Sequence, residues 1–399
     1  MKKIILLYLI LIFLAKTGLS QKTDISTLKA VASVEKGDYD SALSDLDGMP
    51  VEKNAELAKL KGTCYLNLKQ PEVALKYFLL ADSLSTGSST YEIAVCYAEI
   101  GKNEKALAWL GKHLEGKVKH SEYTVKTDSA FALLENTPEW NSFWKKNWYT
   151  ESETEINAIS SLINNGKAGE ALAELDKNNA KISPKHIVNA LYSKAYSLQK
   201  LWDPALNYIN KAIDQNNRTD VYFAQRSAIY AQLRKYQQAT EDITKAIQLS
   251  SYKPEYYIKR AEYSRLSGNL KQAESDMDIY KVLAPNSPET FEQLGLLESA
   301  KGNNFNALNY YNQLIAADPG KPEYFILRGN TAFKVKQYEQ ADEDFGMALD
   351  LDPTKTEAWL NKGNLKLIMG DKNSACYYLE MAKMNGSAEA AKLMYDNCK

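Results

Sequence analysis

Histidine is scarce in this chain. His113, His120 and His186 are the three among 399 residues, and they show no metal-ligand spacing with one another or with the four cysteines. Neither a metal nor any other cofactor is expected. An excess of one charge is also lacking, because 49 Lys and Arg face 50 Asp and Glu with the signs interleaved. The concentrated basic surface that a phosphate backbone requires is therefore missing, and nucleic acid is not an expected partner. No glycine-rich phosphate loop, nucleophile elbow or paired-histidine helix occurs. The chain reads as a protein without catalytic machinery.

Long apolar runs are missing too, apart from Ile4 to Ala15. Met1-Lys2-Lys3 precedes that run and Gly18-Leu19-Ser20 follows it, the pattern of a secretory signal peptide over residues 1–20. As a helix it would span roughly 18 Å, short of the about 30 Å hydrocarbon core. No transmembrane segment is expected in the mature form. No cysteine follows the run at the cleavage point, so a lipid anchor is not expected. The short, two-lysine leader points to export into the periplasm or cell envelope of a Gram-negative bacterium. Its removal lowers Lys and Arg from 49 to 46, for a charge of about −4.

What the chain has instead is repetition. From Asp220 to Ser387 five units of 34 residues align without a gap, starting at Asp220, Pro254, Pro288, Pro322 and Thr356. Column 4 is aromatic throughout (Phe223, Tyr257, Phe291, Phe325, Trp359). Column 8 is small (Ser227, Ala261, Gly295, Gly329, Gly363), and column 20 is Ala in every unit (Ala239, Ala273, Ala307, Ala341, Ala375). Pro285, Pro319 and Pro353 close three units at column 32. A 34-residue unit with this grammar resembles the tetratricopeptide repeat, a helix-turn-helix module.

Two antiparallel helices per unit place the small columns 8 and 20 where the backbones approach most closely. Gly268-Asn269, Gly302-Asn303 and Gly370-Asp371 supply the turn that ends the first helix. Noisier units start at Ser152 and His186, and 32-residue units start at Thr23, Ala55 and Gly87. The expected fold is all-α, a right-handed α-solenoid of about 10–11 helix-turn-helix hairpins with a C-terminal capping helix. Its expected parts are the signal peptide (1–20), three N-terminal hairpins (21–118), a Trp-rich degenerate hairpin or junction (119–151), a seven-hairpin array (152–386) and the cap (387–399).

In the junction, Thr127-Asp128 and Thr137-Pro138 are expected helix starts. Trp140, Phe143, Trp144 and Trp148 would then share one helical face. That face either fills space between the two sub-arrays or, through Trp140, Trp144 and Trp148, forms an aromatic surface for a partner or a glycan. In the cap, Ala391, Leu393, Met394 and Tyr395 are expected to cover the last hairpin.

Two columns switch together. Column 7 is Arg226, Arg260 and Arg328 where column 23 is Asp242, Asp276 and Asp344, whereas Leu294 accompanies Tyr310. Structural ion pairs within hairpins are expected. Glu255, Glu289, Glu323 and Glu357 at column 2 fit the positive end of a helix dipole, with a cation-facing groove as the alternative. Cys376 and Cys398 lie on adjacent antiparallel helices at the same end and are expected to form a disulfide in an oxidising compartment. Cys64 and Cys96, one unit apart, are out of disulfide reach.

The resemblance also implies a role. Tetratricopeptide-repeat proteins are mostly scaffolds that hold a peptide or partner protein in the concave surface lined by the first helix of each hairpin. Carried over by column, the groove positions are Tyr91, Lys194, Gln225, Lys259, Glu262, Arg265, Asn330, Phe333, Lys334, Asn361 and Asn364. The carboxylate clamp known in part of the family is not reproduced, since column 5 offers Ile326 and column 2 holds Glu where the clamp has Lys. A non-enzymatic protein-binding scaffold of the envelope is the expectation, with a glycan-binding periplasmic module as the alternative.

Overall fold

A computed structural model describes residues 25–116, 118–251 and 253–398. The expected signal peptide lies outside them, as does Lys399. The described residues form two compact units, the first ending at Tyr256 and the second starting at Tyr257.

The first unit pairs α1 (25–35) with α2 (Tyr39–Leu46), α3 (Ala55–Asn67) with α4 (Pro71–Leu84), and α5 (Thr90–Glu99) with α6 (Asn103–Glu115). Short helices α7 (Glu122–Thr127) and α8 (Pro138–Phe143) come next. The pairs α9 (Glu151–Asn164) and α10 (Ala168–Asn178), α11 (Lys185–Leu198) and α12 (Trp202–Gln215), and α13 (Asp220–Gln232) and α14 (Tyr236–Leu249) follow. Helix α15 (Pro254–Leu266) contains the boundary. The second unit holds α16 (Leu270–Leu283), α17 (Pro288–Ala300), α18 (Asn304–Ala317), α19 (Pro322–Lys334), α20 (Tyr338–Leu351), α21 (Thr356–Ile368), α22 (Lys372–Met384) and α23 (Ala388–Asn397). The protein is thus an all-α solenoid of helix-turn-helix hairpins closed by a capping helix. Among the described residues no helix is long and apolar enough to cross a membrane.

Each hairpin turns on one left-handed residue. Gly268, Gly302 and Gly370 take that conformation with φ of 85°, 83° and 82°. Elsewhere the same position is held by Lys69, Lys200, Arg234 and Lys336, at φ of 58°, 58°, 57° and 65°. A side chain there costs roughly 1 kcal/mol, which hairpin packing offsets.

The packing itself has a fixed register. A first-helix residue meets the second-helix residue 16 positions later, so column 8 faces column 24. A Cβ on Gly295 would lie 2.4 Å from the Tyr311 ring, and one on Gly329 would lie 2.8 Å from Phe345. Gly363 stands in the same relation to Leu379, and Gly62 to Phe78. The glycine makes room for the side chain opposite it, and at Gly363 also for the Leu379 backbone nitrogen at 3.2 Å, the close approach expected of column 8. Where column 8 is Ser227 or Ala261, the residue 16 further on is the smaller Ile243 or the flexible Met277. At column 20, Ala239, Ala307, Ala341 and Ala375 are fully buried.

At the end of the second unit, Ala390, Leu393 and Met394 of α23 pack with Leu379 and Ala382 of α22. Tyr395 does not join them and is 70% exposed. It sits one position past Met394, about 100° around the helix. Cys376 and Cys398 form a disulfide with Cα atoms 5.7 Å apart. Closing a loop with a sequence separation of 22 stabilises the end by about 3 kcal/mol in the chain-entropy picture.

The 16-residue register predicts opposite outcomes for two glycines. Gly295→Ala should destabilise the protein by about 1–3 kcal/mol, because the Tyr311 ring has to move. Gly169→Ala, near the start of α10 with nothing within 4 Å of the added carbon, should stabilise by up to about 1 kcal/mol. Urea denaturation followed by circular dichroism distinguishes them, and equal shifts would refute the register argument.

Candidate functional site

The three Arg–Asp pairs obey the same spacing. Arg226 donates through Nε and Nη2 to the two Asp242 oxygens, both at 2.7 Å. Arg260 holds Asp276 at 2.9 and 2.7 Å, and Arg328 holds Asp344 at 3.0 and 2.6 Å. The third guanidinium nitrogen of Arg226 reaches Asn210, and that of Arg328 reaches Asn312, each at 2.8 Å. All three aspartates are buried. Burial raises the Asp344 carboxyl above its ordinary pKa even with Arg328 pulling it down. Each arginine is thus committed to the aspartate of its own hairpin, and Arg226 and Arg328 also reach an asparagine of the preceding one.

Three of the four column-2 carboxylates are also engaged separately. Glu323 pairs with Lys355, Glu289 accepts from the Tyr280 hydroxyl, and Glu357 accepts from Asn330. The buried thiols of Cys64 and Cys96 are free, and burial pushes them up to about 11 and about 12.

The junction departs from expectation. Helix α7 ends at Thr127, and Asp128 caps only a short turn at Ser129–Phe131. Helix α8 stops at Phe143, so Trp148 is not on the face it was expected to share. The chain folds back instead. The Trp148 indole Nε1 donates to the Phe143 carbonyl at 2.9 Å and its ring stacks on Phe143 at 4.6 Å. A Cβ on Gly111 of α6 would meet that ring at 3.3 Å. Trp140 is buried, and Trp144 and Trp148 pack partly buried against the same core as Phe131 and Leu134. Lys126 lies over the Trp144 ring at 4.7 Å and Lys146 over Trp148 at 4.0 Å. Trp140, Trp144 and Trp148 do not make an open aromatic platform. They fill the space left when two short helices replace a full hairpin.

Tyr91 is the other correction. It is not a groove residue, because its hydroxyl donates to Asp128 at 2.6 Å and its ring stacks on His120 at 4.0 Å. Burial, then the Asp128 hydrogen bond, raises its pKa. Beside it, His113 Nδ1 meets Thr90 Oγ1 at 3.1 Å, and His113 Nε2 accepts the His120 backbone N–H at 3.0 Å. The two rings also touch through Nε2 and Nδ1 at 3.0 Å. Two of the three histidines thus join α6 to the junction, a contact that their sequence separation did not reveal.

The remaining groove positions fall into two sets. In the first unit, Lys194 and Gln225 border a cleft of about 470 Å³ with Leu198, Trp202 and Ile229. Gln225 donates to the Ala190 carbonyl at 3.3 Å. In the second unit, Asn330, Phe333, Asn361 and Asn364 line a cavity of about 260 Å³ together with Phe345, Leu367 and Ile368. Asn361 donates to Asn330 at 2.7 Å, and Asn330 to Glu357 at 3.1 Å. Lys259 pairs with Glu262 at 3.1 Å on an exposed edge. Arg265 is half-buried and opposes the rise that burial imposes on Glu292. Lys334 reaches Ser299 at 3.4 Å.

Two outcomes follow from this geometry. Asp276→Asn leaves the Arg260 guanidinium half-matched in a buried site and should cost about 3–5 kcal/mol. The double change Arg260→Leu with Asp276→Tyr, copying the Leu294 and Tyr310 combination, should cost much less in the same urea titration. The histidine pair predicts acid sensitivity. Burial first, and then His120 with Lys59 and Lys119, lowers His113 from 6.5 to about 4, with Glu92 opposing; burial also lowers His120. The unfolded chain then takes up a proton near pH 6.5 that the folded chain refuses until about pH 4. The pair's stabilisation is present above pH 6.5 and lost as pH falls, by on the order of 1–2 kcal/mol after solvent screening. His113→Gln should flatten that dependence, read as amide-exchange protection of 119–150 against pH.

No family model matches the chain. A stretch of 102 residues is 28% identical to the protein O-mannosyl-transferase TMTC1 of Mus musculus, covering 25% of this chain and 11% of that protein. Another of 86 residues is 32% identical to the UDP-N-acetylglucosamine–peptide N-acetylglucosaminyltransferase of Giardia intestinalis, covering 22% and 6%. The chain therefore spans a small fraction of the length of these curated relatives. Among solved structures, a tetratricopeptide repeat protein from Parabacteroides merdae superposes with a TM-score of 0.54 at 18% identity, over 62% of this chain and 99% of that one. The APC/C hetero-tetramer Cut9–Hcn1 gives 0.52 at 14% identity, over 94% and 83%. With the hairpins described above, these likenesses show that the chain has the tetratricopeptide-repeat fold.

Proposed function

We propose that this protein is a non-catalytic scaffold of the cell envelope that holds a peptide or partner protein on the concave face lined by its first helices. The observation that carries this reading is the second-unit cavity. There the amides of Asn330, Asn361 and Asn364 share the lining with the apolar Phe333, Phe345, Leu367 and Ile368. An extended chain needs both features, donors and acceptors for its backbone and an apolar recess for a side chain. The Lys259–Glu262 edge and Lys334 add mixed charge, which suits a protein ligand. Residues 1–20, read as a signal peptide, support an envelope location.

The test is affinity purification of the mature protein from its native envelope, with two variants in parallel. Asn361→Ala with Asn364→Ala, and charge reversal at Lys259, Arg265 and Lys334, should each release a co-purifying protein, with affinity falling at least tenfold. A partner that stays bound to both variants would sink the groove assignment. Retention in the cytoplasm of a reporter fused behind residues 1–20 would sink the envelope assignment separately.

A further inference from the structure

A second cleft, in the first unit, has different chemistry. It lies between α7 and α9, and its volume of about 570 Å³ is within the range of small-molecule clefts, about 300–1,000 Å³. Helix α9 contributes Asn157, Ser161 and Asn164 at positions i, i+4 and i+7, one face of the helix. Ser160 sits beside them. The side chains of these four residues make no hydrogen bond among the described residues, and Asn157, Ser161 and Asn164 are exposed. Across the cleft stands Tyr123, 78% exposed, while the Tyr149 hydroxyl is already committed to the His120 carbonyl at 2.8 Å.

The charge of the lining narrows the ligand. No Lys or Arg lines the cleft, and its single carboxylate, Glu122, is paired with Lys126. A phosphorylated or acidic ligand would find no cation, and a basic one would have to displace Lys126. The walls also lack an aliphatic recess, since Ala158 is the sole aliphatic residue present. The cleft's apolar surface comes from the Tyr123 and Tyr149 rings, the kind of flat face on which a sugar ring stacks. What remains is a row of uncommitted amides and hydroxyls, each able to donate and accept, opposite one exposed aromatic ring.

We propose that this cleft binds a neutral oligosaccharide. Tyr123 would stack on the apolar face of one sugar ring, and Asn157, Ser161 and Asn164 would pair with hydroxyls along the chain. Every sugar hydroxyl both donates and accepts, as does each amide, so the match does not depend on one register. The site is separate from the tryptophans of the junction, which are turned inward, and from the Asn330–Asn361 cavity of the second unit.

The probes are immobilised cello-, chito- and manno-oligosaccharides, with sulfated and uronic-acid oligosaccharides alongside, presented to the mature protein; titration calorimetry then follows the best. Retention of a neutral oligosaccharide, little changed by salt, is expected. Tyr123→Ala and the pair Asn157→Ala with Asn164→Ala should each weaken it at least tenfold, whereas Tyr123→Trp should preserve it. These side chains are exposed, so the variants should keep the parent thermal midpoint, and circular dichroism checks that. Failure to retain any neutral oligosaccharide would overturn the proposal. So would preference for the acidic set, or undiminished binding by well-folded Tyr123→Ala.

Discussion

Everything regular in this molecule depends on one relation, the contact between a residue on the first helix of a hairpin and the residue 16 positions later on the second. It places the Tyr311 ring over Gly295 and Phe345 over Gly329, and one step earlier it places Arg226 on Asp242 and Arg260 on Asp276. Apolar filling and charge neutralisation are therefore two uses of one geometry. A large side chain needs a hole, and a buried carboxylate needs a bidentate cation. Adjacent columns supply both.

This explains why the sequence was so legible where it was. Period, turn residues and the invariant alanines reflect constraints inside one hairpin, and each hairpin repeats them. The Arg–Asp pairs were visible because some copies lack both members, as with Leu294 and Tyr310, so the chain carries its own control. The Cys376–Cys398 disulfide was visible because two antiparallel helices of similar length return the backbone to one place. The real role of column 8 was less visible. Small residues there imply a close approach, but not that the side chain at column 24 (Tyr311, Phe345 or Leu379) occupies the volume.

Where the repeat fails, so did the reading. Trp140, Trp144 and Trp148 suggested a continuous helical face because their spacing fits 3.6 residues per turn. Nothing in that spacing says that α8 stops at Phe143 and the chain turns back over Gly111. Tyr91 was assigned by column, and the column was right; its neighbour was not another repeat but the irregular segment carrying Asp128 and His120. A positional rule learned from regular hairpins cannot anticipate what a non-repeating segment brings over them. The left-handed turns at Lys69, Lys200, Arg234 and Lys336 pose a similar limit, since their conformation is imposed by packing on residues that do not prefer it.

The division between constrained and unconstrained columns also bears on how two clefts of such different character arise on one scaffold. Hairpin stability resides in columns 7, 8, 20, 23 and 24, whose side chains face inward. Columns that face solvent on the first helices are released from that requirement. In α9 they are Asn157, Ser161 and Asn164, a neutral polar row; in α19 and α21 they are Asn330, Phe333, Asn361 and Ile368, amides around an apolar floor. Changing one set leaves the 16-residue contacts of the other untouched. A solenoid can therefore carry recognition sites of unlike chemistry in its two units, because the 16-residue contacts leave the surface columns of the first helices free to vary, even where a packing residue such as Phe345 also lines the cavity.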